Sequence, residues 1–197
     1  MPNARDDIRL ILASASPRRR YLLEQAGLRF EVIPSRVDED RLPVTAPEAY
    51  VRTLAEAKAD EVAARHPEAW VIGADTTVVI GDRILGKPAD TDAARRMLER
   101  LSGRTHRVHT GFAVHCRRRE RRIGATVTTA VRFKELTPEE IDWYLATGEP
   151  FDKAGAYAIQ GIGTFLVRRI DGSYTNVVGL PVCEVIEVLI REGVARY

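Results

Sequence analysis

Only two cysteines occur in the 197-residue chain, Cys116 and Cys183, far apart and outside any CxxC spacing. That excludes a disulfide framework and a thiolate zinc site, and predicts both as reduced thiols of the core. No apolar run approaches the ~20 residues needed to span a bilayer. The first run, Ile8 to Ala13, is too short for a secretory signal and leads into Arg18-Arg19-Arg20. Thirty basic against 28 acidic residues leave a net charge of +2. A dedicated nucleic-acid coat or membrane-surface protein is therefore not expected, and any charge-driven function must be local. A soluble cytoplasmic protein is the expectation. Lysine is scarce as well: four lysines, at 58, 87, 134 and 153, stand among 26 arginines. Where the identity of the cation is indifferent this chain uses arginine, so the surviving lysines are suspects for work at crowded oxyanions, where a compact ammonium is not replaced by a planar guanidinium.

What the chain does have is 45% hydrophobic residues, and at this length roughly 70% of the unfolded surface can be buried. Disorder is excluded, and the chain suffices for one domain or two closely joined lobes. Candidate strands and helices alternate without a repeat or linker, which predicts an α/β or mixed α+β architecture. Ile8–Ala13 reads as a buried strand. Ser16-Pro17 reads as the cap and first residue of a helix that Gly27 stops. A strand over 29–34 and a polar loop over 35–46 follow, then a helix from Pro47 to about Arg65. Strands at 70–74, 77–80 and 83–85 include a hairpin at Gly81-Asp82. A helix capped at Asp90 or Thr91 runs through Leu101. Two long strands, 107–116 and 123–133, a helix from Thr137-Pro138, a strand over 164–170 and a helix from about Leu180 to Arg191 complete the chain. Long hairpins among βα units predict a mixed, strongly twisted sheet.

Several constellations carry chemistry. Ser14-Ala15-Ser16-Pro17-Arg18-Arg19 sets hydroxyls and guanidiniums where a strand turns into a helix N-terminus. That arrangement binds anions, although an ordinary capped helix with a solvated basic turn has the same pattern. Lys58 falls on the apolar stripe of the 47–65 helix with Val51, Leu54, Ala55 and Val62, aiming an ammonium inward. A stem snorkelling past the core edge, or an inward acid partner, accounts for it equally. Asp75 follows the buried run 70–74, just beyond a strand end where α/β sheets hold ligands, with Thr76 and Thr77 beside it. An Asp capping a turn reads the same way. Asp38, Glu39 and Asp40 offer hard oxygens for Mg²⁺ or Mn²⁺, as ordinary surface acids also would.

Gly81 to Pro88 matches part of a Walker A pattern but is not one. Pro88 stands where Ser or Thr is required and supplies neither a hydroxyl nor an N–H. Lys87 can still meet phosphate in another architecture. Asp152-Lys153-Ala154-Gly155 through Gln160-Gly161 combines a charge pair, small residues that permit close backbone approach, and an amide suited to the edge of uracil or thymine. A tight turn with a structural Gln fits it too. His106 and His109 fall on opposite faces of a strand and do not chelate one metal together. Arg117 to Arg122 lies at a hairpin tip without interleaved aromatics, which favours a solvated turn over nucleic-acid binding.

In order and spacing, Ser14 to Arg19, Gly73-Ala74-Asp75-Thr76, Gly86-Lys87-Pro88, Leu101-Ser102-Gly103, Asp152 to Gly161 and Gly179-Leu180-Pro181 resemble the Maf family of nucleoside triphosphate pyrophosphatases, over nearly the whole chain. The resemblance implies one domain over 1–197. Its fold would be an elongated twisted mixed sheet flanked by helices, in two lobes around a deep cleft, a Maf/ITPase-like architecture, usually in a homodimer. It implies cleavage of a nucleoside triphosphate between the α and β phosphates with help from Mg²⁺ or Mn²⁺. Asp75 matches the proposed proton acceptor. Ser14, Arg18, Arg19, Glu39, Lys58 and Lys87 match positions lining the phosphate and metal cleft, with Glu39 and Asp75 on the metal. Arg18, Thr76 and Gln160 match positions tied to base choice. Together with Asp152-Lys153-Ala154-Gly155, Gln160 is similar to the branch acting on dTTP, UTP and modified pyrimidine nucleotides in a housecleaning role, not the 7-methyl-GTP branch. A nucleotide-sensing regulator of septum formation without turnover is the alternative. Neither nucleic acid nor membrane is an expected partner.

Overall fold

The computed structural model describes residues 3–4, 8–43 and 46–196. In chain order the elements are β1 (Asn3–Ala4), β2 (Leu10–Leu12), α1 (Pro17–Gln25), β3 (Glu31–Val32), α2 (Pro47–Arg65), β4 (Trp70–Ile80), β5 (Arg83–Leu85), α3 (Thr91–Leu101), β6 (Thr105–Cys116), β7 (Arg121–Phe133), α4 (Pro138–Ala146), β8 (Val167–Asp171), α5 (Tyr174–Val178), α6 (Val182–Arg191) and β9 (Ala195–Arg196). Seven strands form a mixed sheet in the order β3-β2-β4-β6-β7-β8, with β5 on β4. β2 is parallel to β3 and to β4, whereas β4–β5 and β7–β8 are antiparallel. The mixed sheet expected from the long hairpins is therefore present. No described helix is long and apolar enough to cross a membrane.

The chain divides into two compact units, Met1–Asp75 with Thr110–Val127 and Gly179–Tyr197, and Thr76–His109 with Thr128–Val178. In the first, Ile11, Ala13, Val71 and Ala113 of the sheet pack against Ala55, Ala59, Val62 and Ala63 of α2. Small residues allow α2 to approach the strands backbone to backbone. A Cβ on Gly73 of β4 would lie 2.2 Å from the Ala55 carbonyl oxygen and 2.8 Å from the Ala59 nitrogen. One on Gly111 of β6 would lie 2.3 Å from the Val51 carbonyl oxygen. This approach fixes which helical residue meets which strand residue.

In the second unit Leu98 and Leu101 of α3, Ile141, Tyr144 and Leu145 of α4 and the sheet residues Val78, Val108, Val131 and Phe133 share one core. α4 begins with a full capping box: Thr137 accepts from the Glu140 N–H and Glu140 accepts from the Thr137 N–H. His106 is buried in this core against Phe133 and Tyr157, with ring centroids 5.0 and 5.3 Å away in edge-on contacts. Its Nε2 is 2.8 Å from the Tyr157 hydroxyl, and its Nδ1 is buried without a hydrogen-bond partner among the described residues.

Three expectations change. The runs 70–74 and 77–80 form one continuous strand, β4, because the chain exchanges its parallel partner β2 for its antiparallel partner β5 without breaking. Thr164 to Leu166 belong to a 3-10 turn over Gly161–Leu166, so β8 starts at Val167. Cys116 is buried but Cys183 is exposed. The buried stripe of α6 runs through Val185, Ile186, Val188 and Leu189, and Cys183 lies off it. Both thiols are free.

Two stability consequences follow from this packing. Gly73→Ala overpacks the contact between α2 and β4, with an expected cost of about 1–3 kcal/mol, read as a Tm several degrees lower in thermal unfolding. Burial pushes the His106 imidazole down from 6.5 to about 4. Between those values the unfolded chain binds more protons than the folded one. The His106 contribution is thus fully present above pH 6.5 and lost as pH falls toward 4, a change on the order of 3 kcal/mol. His106→Leu should flatten the fall in Tm between pH 6.5 and 4; an unchanged slope would refute this.

Candidate active site

The first unit gathers side chains from five segments. β2 continues through Ala13, whose N–H donates to the Ile72 carbonyl at 2.8 Å. The chain then turns, and Ser16 caps α1 by accepting from the Arg19 N–H at 3.4 Å, with Pro17 in the first turn, as the sequence predicts. Ser14 is buried. Its Oγ accepts from the Ser16 N–H at 3.2 Å and from Nη1 of Arg19 at 3.1 Å. Nε of Arg19 donates to the Gly179 carbonyl at 2.8 Å. The guanidinium is thereby fixed at the strand-to-helix corner. Burial pushes its pKa below the ordinary arginine value; the Asp75 charge opposes that shift, Arg18 adds to it and Glu39 opposes it. These groups share one electrostatic neighbourhood.

The buried face of α2 reads Val51, Leu54, Ala55, Lys58, Ala59, Val62 and Ala63, with Lys58 at the middle of an otherwise apolar stripe. The inward acid partner raised by the sequence exists, and there are two. Lys58 Nζ donates to Asp75 Oδ1 at 2.7 Å and lies 2.8 Å from Glu39 Oε1. The Lys58 and Asp75 side chains are only 10% and 15% exposed, whereas Glu39 is 52% exposed. The Lys58–Asp75 bond is therefore shielded from solvent, and Glu39 closes the cluster from the rim. Asp75 does not lie beyond a strand end. It is inside β4, shortly after the last parallel register pair, Leu12↔Ile72. The carboxylate lies three residues past that last pair, where β2 has ended.

Asp75 and Glu39 are hard oxygen donors, and both bond the same ammonium nitrogen, so their oxygens converge on one cationic point. A divalent ion of the Mg²⁺ class, which uses one or two carboxylates and completes its shell with water and phosphate, suits that donor set. No group of three or more His, Cys, Asp or Glu side chains able to hold a metal occurs among the described residues. Asp38 forms an ion pair with Arg41 at 2.9 Å, and the Asp40 side chain lies outside the described residues.

The remaining sequence-predicted residues belong to the second unit. Thr76 follows Asp75 on β4 and is half-buried. Lys87 is exposed in the loop after β5. The Gly86 carbonyl accepts from the Gly155 N–H at 3.0 Å, which ties the Gly86-Lys87-Pro88 loop to the 152–161 segment. Lys153 pairs with Asp152 and donates to the Glu149 carbonyl at 2.6 Å. Gln160 is half-buried with an extended backbone, and its side chain does not cap the 3-10 turn that follows. His109 Nδ1 is 2.8 Å from the Thr128 hydroxyl.

Sequence reasoning missed Glu149. Burial pushes its carboxyl upward, but hydrogen bonds from the Gly163 N–H, the Tyr144 hydroxyl and the Ile162 N–H, with the Lys153 charge, outweigh that and hold it below the usual carboxylate range. Its only sequence signal is a spacing of four residues to Lys153.

The Maf-like protein family model matches residues 9–192. A dTTP/UTP pyrophosphatase of Syntrophus aciditrophicus is 53% identical over 181 residues, covering 92% of this chain and 88% of its own. One from Geobacter sulfurreducens is 54% identical over 185 residues, covering 94% and 97%. Among solved structures, the Staphylococcus aureus Ham1 protein aligns over 93% of this chain and 99% of its own, with a TM-score of 0.51 at 13% identity, a likeness of fold.

Proposed function

From the chain's membership of the Maf-like protein family, to which it belongs, we propose that it is a nucleoside triphosphate pyrophosphatase that converts dTTP and UTP to the monophosphate and pyrophosphate. The observation that carries this reading is the ammonium of Lys58 bonded to both Asp75 and Glu39, beside the anchored Arg19. Modified pyrimidine triphosphates are proposed as further substrates in a housecleaning role. A homodimer in the cytoplasm, without nucleic-acid or membrane partners, is proposed on the same resemblance.

The chemistry follows from the donors present. A carboxylate offers about four acceptor sites, so the bond from Lys58 to Asp75 leaves capacity to accept from a water. Asp75 orients that water for in-line attack on the α-phosphorus and takes its proton, while the bond to the β-phosphate oxygen breaks. Lys58 holds the Asp75 carboxylate in place through their hydrogen bond, and Lys58, Arg18, Arg19 and Lys87 are proposed to neutralise charge on the departing pyrophosphate. Ser14 holds Arg19 in position through its hydroxyl. Glu39 and Asp75 would hold Mg²⁺ or Mn²⁺, which when bound supplies positive charge to the phosphate oxygens. Thr76, Lys153 and Gln160 are proposed as substrate-binding residues, Gln160 through the donor and acceptor edge of a pyrimidine.

Pyrophosphate release over canonical and modified triphosphates tests the proposal and separates it from a nucleotide-binding regulator of septum formation, which would bind without turnover. Preference for UTP and dTTP is expected; preference for 7-methyl-GTP would overturn it. Asp75→Asn should lower kcat for UTP by about 10²–10⁴-fold with Mg²⁺ or Mn²⁺ supplied. Full turnover by that variant would remove Asp75 from the role. Gln160→Glu should reduce pyrimidine selectivity more than it lowers Tm. A lower Tm with unaltered selectivity would make Gln160 a packing residue.

A further inference from the structure

The backbone following Gln160 hangs from one carboxylate. Glu149 Oε1 accepts from the Tyr144 hydroxyl at 2.8 Å and from the Gly163 N–H at 2.8 Å, and Oε2 accepts from the Ile162 N–H at 3.0 Å. The Tyr144 hydroxyl accepts in turn from the Ala158 N–H at 3.1 Å, and the Glu149 carbonyl accepts from Lys153 Nζ. Chain on both sides of Gln160 is thus tied to Glu149 and Tyr144. Tyr144 belongs to the capped helix α4 and is fully buried, so the anchor is rigid. The fit is close. A Cβ on Gly161 would lie 2.5 Å from Glu149 Oε2, and one on Gly163 would lie 2.3 Å from the Ala158 carbonyl and 2.6 Å from the Tyr144 hydroxyl.

Three donors converge on this side chain, and a carboxylate, with acceptors on both oxygens and no donor, suits them all. A glutamine of the same shape would turn its NH₂ toward a backbone N–H, donor against donor.

We propose that Glu149 is a positioning residue for base choice: through the bonds of its carboxylate to Tyr144, Ile162 and Gly163 it sets where Gln160 is presented, without touching nucleotide itself. The proposal rests on the reading of Gln160 as the residue that contacts the base. Discrimination between bases depends on polar groups held in register with the substrate edge. A loosened loop should therefore lose substrate preference before it loses the chemical step.

Pyrophosphate release from UTP, dTTP, CTP and GTP is measured on the full chain for the parent, Glu149→Gln, Tyr144→Phe and Gln160→Ala. Glu149→Gln is expected to raise KM for UTP and dTTP about tenfold or more with kcat reduced less than about threefold, and to lower the UTP-to-GTP ratio of kcat/KM about tenfold. Tyr144→Phe, which removes one donor to Glu149 and the acceptor for Ala158, should shift the same quantities in the same direction by less; it carries the test if Glu149→Gln does not fold. A parental ratio in Glu149→Gln and Tyr144→Phe beside a lowered ratio in Gln160→Ala would overturn this proposal alone. A parental ratio in Gln160→Ala would overturn the reading of Gln160 and this proposal with it. A lower Tm with KM and base preference intact would make Glu149 purely structural.

Discussion

An ammonium placed in the apolar face of a helix is tolerated only when opposite charge reaches it without water, and this constraint organises the first unit. Lys58 meets it with Asp75 from β4 and Glu39 from the loop before α2. Such a shielded pair is poor evidence of stabilisation, because desolvating the partners offsets most of their attraction. It is better understood as a device for holding a carboxylate in a fixed orientation. The device depends on the packing beneath it. α2 reaches the sheet closely enough to bring Lys58 to Asp75 because Gly73 and Gly111 offer no side chains to keep it away. Helix approach, carboxylate placement and the proposed handling of a polyphosphate are therefore successive consequences of two missing Cβ atoms.

Arg19 shows the same logic with hydrogen bonds in place of charge. A guanidinium in the first turn of a helix faces the unfavourable end of the dipole. Here it is bonded to Ser14 and to the Gly179 carbonyl, and it feels Asp75 and Glu39. The corner is thus built from three distant parts of the chain. In the second unit the equivalent anchor is Glu149, around which the 158–163 backbone is wrapped.

Local signals made much of this legible. The Ser16-Pro17 start of α1, the limits of α2 at Pro47 and Arg65, the inward aim of Lys58 and the mixed character of the sheet all follow from capping chemistry and periodicity. Features set by tertiary partners were not. Asp75-Thr76 reads as an interruption because the buried apolar run ends at Ala74, but β4 passes straight through by changing neighbours. α5, only five residues long, leaves almost no periodic trace; its start is marked by the Ser173 hydroxyl, which accepts from the Asn176 N–H at 3.2 Å. Glu149 follows a glycine and precedes a proline, so it looks like any acid in a turn, and its importance lies in donors that arrive 13 and 14 residues later.

The uninterrupted course of β4 has a further consequence. Consecutive side chains on a strand project to opposite faces, so one inserted or deleted residue between Ile72 and Asp75 would carry the carboxylate through the sheet and away from Lys58. The spacing from the parallel pairing to the acid is consequently fixed by the register of the strand. This strand works as a ruler, and its graduations are set by pleating rather than by the identity of the side chains between its two ends.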